Sequence, residues 1–196
     1  RPAFLMIKET VSGGGWLMVD ATRNPLGLTT QRLNANASNA EDTSADNNVE
    51  FTDTGFQIKT SSGGWNASGQ SFIYMAFAGG MDSISDYNDT GSSDSRVKAN
   101  PTYGQSIVSY EGNFTGGATV GHGLSSAPEM IIIKNRESVK NWIVYHEGID
   151  ASAPQNYRIK LNEDTAREEQ AGNGWNNTAP TSSVFSLGAG TWLNES

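Results

Sequence analysis

The sequence predicts an all-β fold made of two copies of one domain. Residues 2–7 form an apolar run that begins with proline and is followed by lysine, and residues 128–133 repeat that pattern. Proline is tolerated at the first residue of a strand, and a short apolar run with few polar breaks is typical of a strand buried on both faces. The 22 glycines and the many Ser, Thr, Asn and Asp residues are typical of turns, and long amphipathic helical patterns are absent.

The repeat extends beyond these two strands. Pro2 and Pro128 are 126 residues apart, and so are Trp16 and Trp142. Weaker matches join residues 33–34 to 161–162, 55–58 to 184–187, and 65–68 to 192–196. Because this period is domain-sized and longer than a solenoid repeat, we predict a first β unit at 1–79, a polar linker or loop at 80–104, and a second β unit at 105–196.

Each unit is expected to be incomplete in this sequence. The second unit has predicted strands at 106–111 and 118–121 whose counterparts would precede residue 1. The first unit has a predicted strand at 71–78 whose counterpart would follow residue 196. A sheet that lacks a strand exposes an unpaired edge. We therefore expect the edges to be covered by flanking chain or by a neighbouring subunit.

Charge and composition exclude several classes of protein. The net charge is −8 and the sequence pI is about 4.7. Such a surface disfavours binding to nucleic acid or to an anionic membrane. The absence of cysteine excludes disulfides, thiolate metal sites and a cysteine nucleophile. No apolar stretch approaches the roughly 18 residues of a membrane span, so membrane insertion is not expected.

Catalytic patterns are weak. His122 lies in a Gly-His-Gly turn, His146 lies at a strand end, and no Gly-x-Ser-x-Gly elbow is present. Paired carboxylates for glycoside cleavage have only four candidates, which we interpret as solvated loop residues: Glu41, Asp42, Glu163 and Asp164. The sequence therefore predicts a protein that is not an enzyme.

Metal binding has one candidate segment. Oxygen ligands suited to calcium occur at Asp82, Asp86, Asn88 and Asp89, without the spacing of an EF-hand or another known loop. No metal or other cofactor is predicted, and calcium binding by this segment stays an alternative.

Aromatic residues provide the candidate binding site. A loop tryptophan beside Asn and Gly can stack on a sugar while amides form hydrogen bonds. The candidate glycan-binding residues are Trp65, Asn66, Trp175, Trp192 and Asn194. The alternative is that these tryptophans fold back over the end of the sheets. Trp16 and Trp142 recur on strands and are predicted to belong to the core.

The repeated motifs resemble a known family. Residues 1–8, 55–59 and 66–78, together with 106–113, 118–124 and 127–136, resemble the tandem repeat domains of bacteriophage tail-fibre-type virion proteins of marine phages. The resemblance implies two tandem β-sandwich units of concanavalin or jelly-roll type. The polar segment 80–104 departs from the family by its length.

The resemblance also implies a function. We expect a structural and adhesive module of a phage virion appendage, located in the virion and attached to other virion subunits. Host-surface polysaccharide is the expected external partner, and a homo-oligomer, by analogy a trimer, is the expected assembly. Two alternatives stay open, namely a decoration protein of the virion shell and a polysaccharide-degrading tailspike.

Overall fold

The computed structural model describes residues 1–11, 13–24, 28–44, 46–61, 63–79 and 86–196. Within these ranges the chain is all-β, with sixteen short strands, one four-residue helix and three short 3-10 turns. All pairs of named strands are antiparallel. No helix in the described part of the chain is long and apolar enough to cross a bilayer.

In the first unit, the described residues form two sheets. Its elements are β1 (Pro2–Glu9), β2 (Leu17–Asp20), β3 (Leu28–Thr29), β4 (Leu33–Asn34), β5 (Val49–Thr52), β6 (Gly55–Ile58), α1 (Gly63–Asn66) and β7 (Phe72–Ala78). The strand orders are β4-β2-β1-β7 and β3-β5-β6. Side chains from both sheets and Trp65 of α1 form the first core.

Strand β1 is buried on one face. Ala3, Leu5 and Ile7 point into the core, whereas the alternate residues are only half-buried. The prediction of a strand buried on both faces is therefore wrong. Phe4 and Met6 lie on the outer face and are half-buried.

The described residues from 86 onward, which comprise part of the predicted linker and the second unit, form three sheets. Their strands are β8 (Asp86–Asn88), β9 (Ser95–Asn100), β10 (Gln105–Tyr110), β11 (Ala118–Gly121), β12 (Met130–Ile133), β13 (Ile143–His146), β14 (Tyr157–Lys160), β15 (Glu168–Glu169) and β16 (Val184–Leu187). The strand orders are β10-β9-β8, β11-β16 and β12-β13-β14-β15. The second core is formed mainly by residues of β11, β13 and β16 with Trp175 and Leu193.

Part of the predicted linker forms strands. Strand β9 pairs with β10 across a tight turn at Pro101–Tyr103, which Gly104 closes in a left-handed conformation at φ 66°. The prediction of linker or loop is wrong for β8 and β9, because cross-strand pairing outweighs their polar composition. Residues 80–85 lie outside the described residues.

Strand β10 separates the two cores. Ile107 packs against the first core, whereas Val108 and Tyr110 pack against the second. Successive side chains of a strand point to opposite faces, so one strand can serve both cores. The Thr22 hydroxyl donates to the Ile107 carbonyl at 3.2 Å and ties the first unit to this strand.

The sheet β4-β2-β1 of the first unit and the sheet β12-β13-β14-β15 of the second share one hydrogen-bond register at a constant offset of 126. Three pairs of the first unit, Phe4 with Asp20, Leu17 with Asn34, and Arg32 with Asp42, correspond to Met130 with His146, Ile143 with Lys160, and Arg158 with Glu168. Residues 33–34 therefore correspond to 159–160, and their predicted match to 161–162 is wrong. The match by residue type was displaced by two positions, because similar residues occur at both places. Strand pairing identifies the equivalent residues directly.

Candidate functional site

Trp65 and Asn66 lie at the end of α1 in different environments. The Trp65 ring is 1% exposed, and its Nε1 donates to Asn47 Oδ1 at 3.3 Å. A ring without an accessible face cannot stack on a sugar, so the glycan-binding prediction is wrong for Trp65. Asn66 is exposed and donates to the Thr60 carbonyl at 3.4 Å.

Trp175 is also a core residue. It is fully buried, with its Nε1 donating to the Tyr157 carbonyl at 3.1 Å. Its ring meets Tyr145 edge to face with centroids 5.8 Å apart. The prediction that Trp175 binds glycan is therefore wrong, and the alternative of a tryptophan folded over the sheets describes it.

Asn194 holds two turns together. Its Nδ2 donates to the Thr115 and Gly188 carbonyls, both at 3.0 Å, and its Oδ1 accepts from the Asn113 amide at 2.8 Å. The side chain is completely buried, and each of its polar atoms is used. It therefore has no group to offer a sugar, and the prediction is wrong for Asn194 as well.

Trp192 is half-buried beneath two cations. The Arg158 guanidinium carbon lies 4.3 Å from its ring centroid, and Lys160 Nζ lies 5.4 Å away. Both cations are paired with Glu168. Of the five predicted residues, Asn66 and part of Trp192 are accessible, and they lie in different units.

Glu41 is the centre of a buried ion-pair network. It pairs with Arg23 at 2.5 Å, and Arg23 also pairs with Asp20 at 2.6 Å. Arg136 of the second unit reaches the same carboxylate at 2.8 Å. Burial by itself would raise the pKa of Glu41, but hydrogen bonds from Arg136 and the charge of Arg23 hold that pKa below its ordinary value. The interpretation of Glu41 as a solvated residue is wrong.

The other three acidic candidates have local roles. Asp42 pairs with Arg32 at 2.5 Å, and Glu163 pairs with Lys160 at 2.9 Å. Glu163 and Asp164 line an open groove of about 520 Å³ together with Asn36, Leu161 and Asn162. This groove lies where the second unit meets the first.

Both histidines bind backbone groups. His122 is buried, with Nε2 3.2 Å from the Thr181 carbonyl and Nδ1 accepting from the Leu124 amide at 3.1 Å. This arrangement requires the neutral tautomer with the proton on Nε2. Burial lowers the pKa of His122, although the Thr181 carbonyl opposes that shift. His146 Nδ1 accepts from the Gly148 amide at 2.9 Å.

The calcium alternative falls partly outside the described residues, because Asp82 belongs to 80–85. Asn88 Oδ1 accepts from the Thr90 amide at 2.9 Å, which is a turn contact. Among the described residues, no three His, Asp or Glu side chains lie close enough together to hold a metal ion.

Trp142 connects the two units. It is buried, and its Nε1 donates across the boundary to the Asn34 carbonyl at 2.9 Å and the Ala37 carbonyl at 3.1 Å. Its counterpart Trp16 is 37% exposed, so the prediction of a core residue is wrong for Trp16. The recurrence of the two tryptophans was visible in the sequence, but their different surroundings were not.

Arg136 completes this contact. Its Nε and Nη2 donate to the two carboxylate oxygens of Glu41 at 2.9 and 2.8 Å, while its carbonyl accepts from the Glu41 amide at 2.7 Å. Its Nη1 lies 3.3 Å from the Ser109 hydroxyl. No sequence signal pairs residues that are 95 positions apart, so sequence reasoning missed this contact.

One family matches the chain over two segments, residues 1–80 and 82–196, and it is described as a domain of unknown function, DUF7483. The chain belongs to the DUF7483 family. Searches of curated proteins and of solved structures found no match.

The DUF7483 chain also exposes an apolar sheet face. On β7, Ile73, Met75 and Phe77 are exposed large hydrophobic residues. Phe77 stacks on Phe4 with centroids 5.5 Å apart, and Met75 lies opposite Met6. Clustered exposed apolar groups are typical of surfaces that contact another macromolecule.

Proposed function

We propose that this DUF7483 chain is a structural and adhesive module of a phage virion appendage of the tail-fibre type. In this proposal the units join in series through the contact formed by Trp142 and Arg136. One observation carries the proposal. The chain contains a second copy of each half of that contact, namely the tryptophan and the segment whose carbonyls accept its hydrogen bonds. The resemblance of the motifs to tail-fibre repeat domains supplies the virion location.

Trp16 and the 160–163 segment are the repeat counterparts of these two halves, and among the residues that the structure describes no hydrogen bond joins them. Trp16 corresponds to Trp142, and the carbonyls of Lys160 and Glu163 correspond to those of Asn34 and Ala37 at the 126-residue offset. Leu161 beside these carbonyls is exposed. A second copy of the chain can therefore place its Trp16 on this segment, which gives a head-to-tail contact that propagates.

The charge part of the proposed copy-to-copy contact is weaker than that of the contact within the chain. Arg136 corresponds to Thr10, and Glu41 corresponds to Arg167. Arg167 pairs with Asp150 of its own unit at 2.8 Å, much as Glu41 pairs with Arg23. Because Thr10 has no charge to offer Arg167, we expect the copy-to-copy contact to be weaker than the internal one.

Light scattering of the 196-residue chain across the micromolar range tests the proposal. We expect reversible association that Trp16→Ala abolishes and that Thr10→Glu strengthens, because the new carboxylate would face Arg167. Tyr103→Ala, at an exposed site on the β9–β10 turn, is the matched control and should leave association unchanged. A strictly monomeric wild-type chain, or association that ignores Trp16, would contradict series assembly.

The adhesive half of the proposal rests on the accessible candidates. Trp192 and Asn66 remain as sugar contacts, with other virion subunits and host-surface polysaccharide as the proposed partners. By analogy, the assembly is a trimer of such head-to-tail series. Binding of the chain to host capsular polysaccharide should fall in Trp192→Ala and Asn66→Ala and persist in Tyr103→Ala. Equal binding by all three variants would remove these residues from the adhesive role.

A further inference from the structure

We propose that the free edge of β12 is a binding site for one antiparallel β-strand of the β7 type, an extended segment with the pattern of Phe72–Ala78. The bound strand would lie on β12 as β7 lies on β1. This inference does not depend on a virion function, because it concerns the completion of the second core.

The two edges are equivalent positions of the repeat. β1 lies between β2 and β7, with Leu5 opposite Val19 on one side and opposite Ala76 on the other. β12 pairs with β13 in the same register, with Ile131 opposite Tyr145. Within the described ranges, no strand lies on the other edge of β12.

Strand β12 is less buried than β1, as expected for a strand that lacks a neighbour on one side. Leu5 and Ile7 are fully buried, whereas their counterparts Ile131 and Ile133 are only partly buried. On the outer face, Phe4 is half-buried, but its counterpart Met130 is 55% exposed. Since the register is the same, the partner strand is the difference that explains this exposure.

The chemistry of the edge specifies an apolar strand. An open edge presents unpaired backbone N–H and C=O groups, which an added strand satisfies while alternate side chains enter pockets. In the first unit, Phe77 stacks on Phe4 and Met75 lies opposite Met6. The corresponding surface of β12 carries Met130 and Ile132, and both are exposed and apolar.

The end of the chain lies close to the required starting point. Asn135 Nδ2 donates to the Glu195 carboxylate at 3.0 Å, which places residue 195 beside the end of β12. In the first unit, β7 begins at the equivalent place, where the Thr10 amide donates to the Ser71 carbonyl at 2.9 Å. A strand joined to Ser196 can therefore reach the edge without a long connection.

An extended variant tests the proposal. Residues 69–78 are appended after Ser196, and the matched control carries the same extension with Ile73→Pro and Tyr74→Pro in the appended copy only, which removes the backbone donors that a ladder requires. We expect hydrogen exchange of those amides within 130–134 that face the free edge to slow by about tenfold or more in the extended variant. We also expect its Tm to rise by about 4 °C or more above that of the control.

Two outcomes would overturn the proposal. In one, the edge-facing amides within 130–134 exchange equally fast in the extended variant and in the proline control. In the other, the unextended chain already protects these amides and light scattering shows a dimer, which would assign the edge to a second copy. Both extensions leave the native sequence intact, so loss of the fold cannot imitate either result. Trp16→Ala should leave the result unchanged, which separates this test from that of series assembly.

Discussion

The Arg136 guanidinium and the Glu41 carboxylate form a two-point ion pair between the two units, with N–O distances of 2.9 and 2.8 Å. The Glu41 side chain is nearly excluded from water, as is that of its second partner Arg23. Two cations from different units therefore converge on one buried carboxylate. Such a paired geometry is strong when complete, but loss of one member leaves uncompensated charge.

Removing this carboxylate should destabilise the protein strongly. We expect Glu41→Ala to lower the free energy of unfolding by about 3–5 kcal/mol, because buried Arg23 loses a counter-charge. Glu50→Ala is the control, since the Glu50–Lys59 pair is exposed on both sides and is worth about 0–1 kcal/mol. Urea unfolding measures both values, and equal losses in the two variants would show that the network is not stabilising.

The same carboxylate should make stability sensitive to acid. The pKa of folded Glu41 lies below the unfolded value of 4.5. Its contribution is therefore complete above about pH 4.5 and is lost as the pH falls through the folded-state pKa. We expect the unfolding free energy of Glu41→Gln to decline less steeply below pH 4.5 than that of wild type. Equal slopes of the unfolding free energy against pH below 4.5 in the two proteins would contradict this role of Glu41.

Trp142 and Trp16 offer a comparison within one chain. Trp142→Phe removes the donor to the Asn34 and Ala37 carbonyls, so we expect a loss of about 1–3 kcal/mol. Trp16→Phe changes an exposed ring and should cost less than about 0.5 kcal/mol. Chemical unfolding of the monomeric chain gives both numbers, and a reversed order would refute the asymmetry of the two sites.

Asn194 and Asn66 form a second matched pair. Asn194→Ala removes three hydrogen bonds, two to the Thr115 and Gly188 carbonyls and one from the Asn113 amide, so we expect a loss of at least about 2 kcal/mol. Asn66→Ala, at an exposed position, should cost less than about 0.5 kcal/mol. Similar costs for the two would indicate that the amide network around Asn194 contributes little.

His122 should be neutral over the physiological range. Its folded-state pKa lies below 6.5, so its contribution to stability is complete above pH 6.5 and declines as the pH falls below that value. Nitrogen-detected NMR of the imidazole should show the proton on Nε2 at pH 7. A proton on Nδ1 would be incompatible with the hydrogen bond from the Leu124 amide.

Local patterns predicted much of the fold, but the proposed site residues depended on distant neighbours. The strands at 2–9 and 130–133 follow from apolar runs that begin near a proline. Strand β9 was missed because pairing with β10 holds its polar residues in place. Trp65 and Trp175 were predicted to be binding residues because their flanking Asn and Gly residues indicated loops, yet each indole N–H finds an acceptor inside a core.

The sequence by itself determined the all-β class and the 126-residue repeat. Strand alternation, turn residues and recurring tryptophans are patterns that can be recognised without knowing which distant segments are in contact. Tertiary structure decided the hydrogen-bond register, the burial of each tryptophan and the Glu41–Arg136 pair. Trp16 and Trp142 occupy equivalent strand positions, yet one is exposed and the other buried. The physical reason is that only Trp142 has another unit's carbonyls within reach, and such a contact depends on the packing of segments more than 100 residues apart.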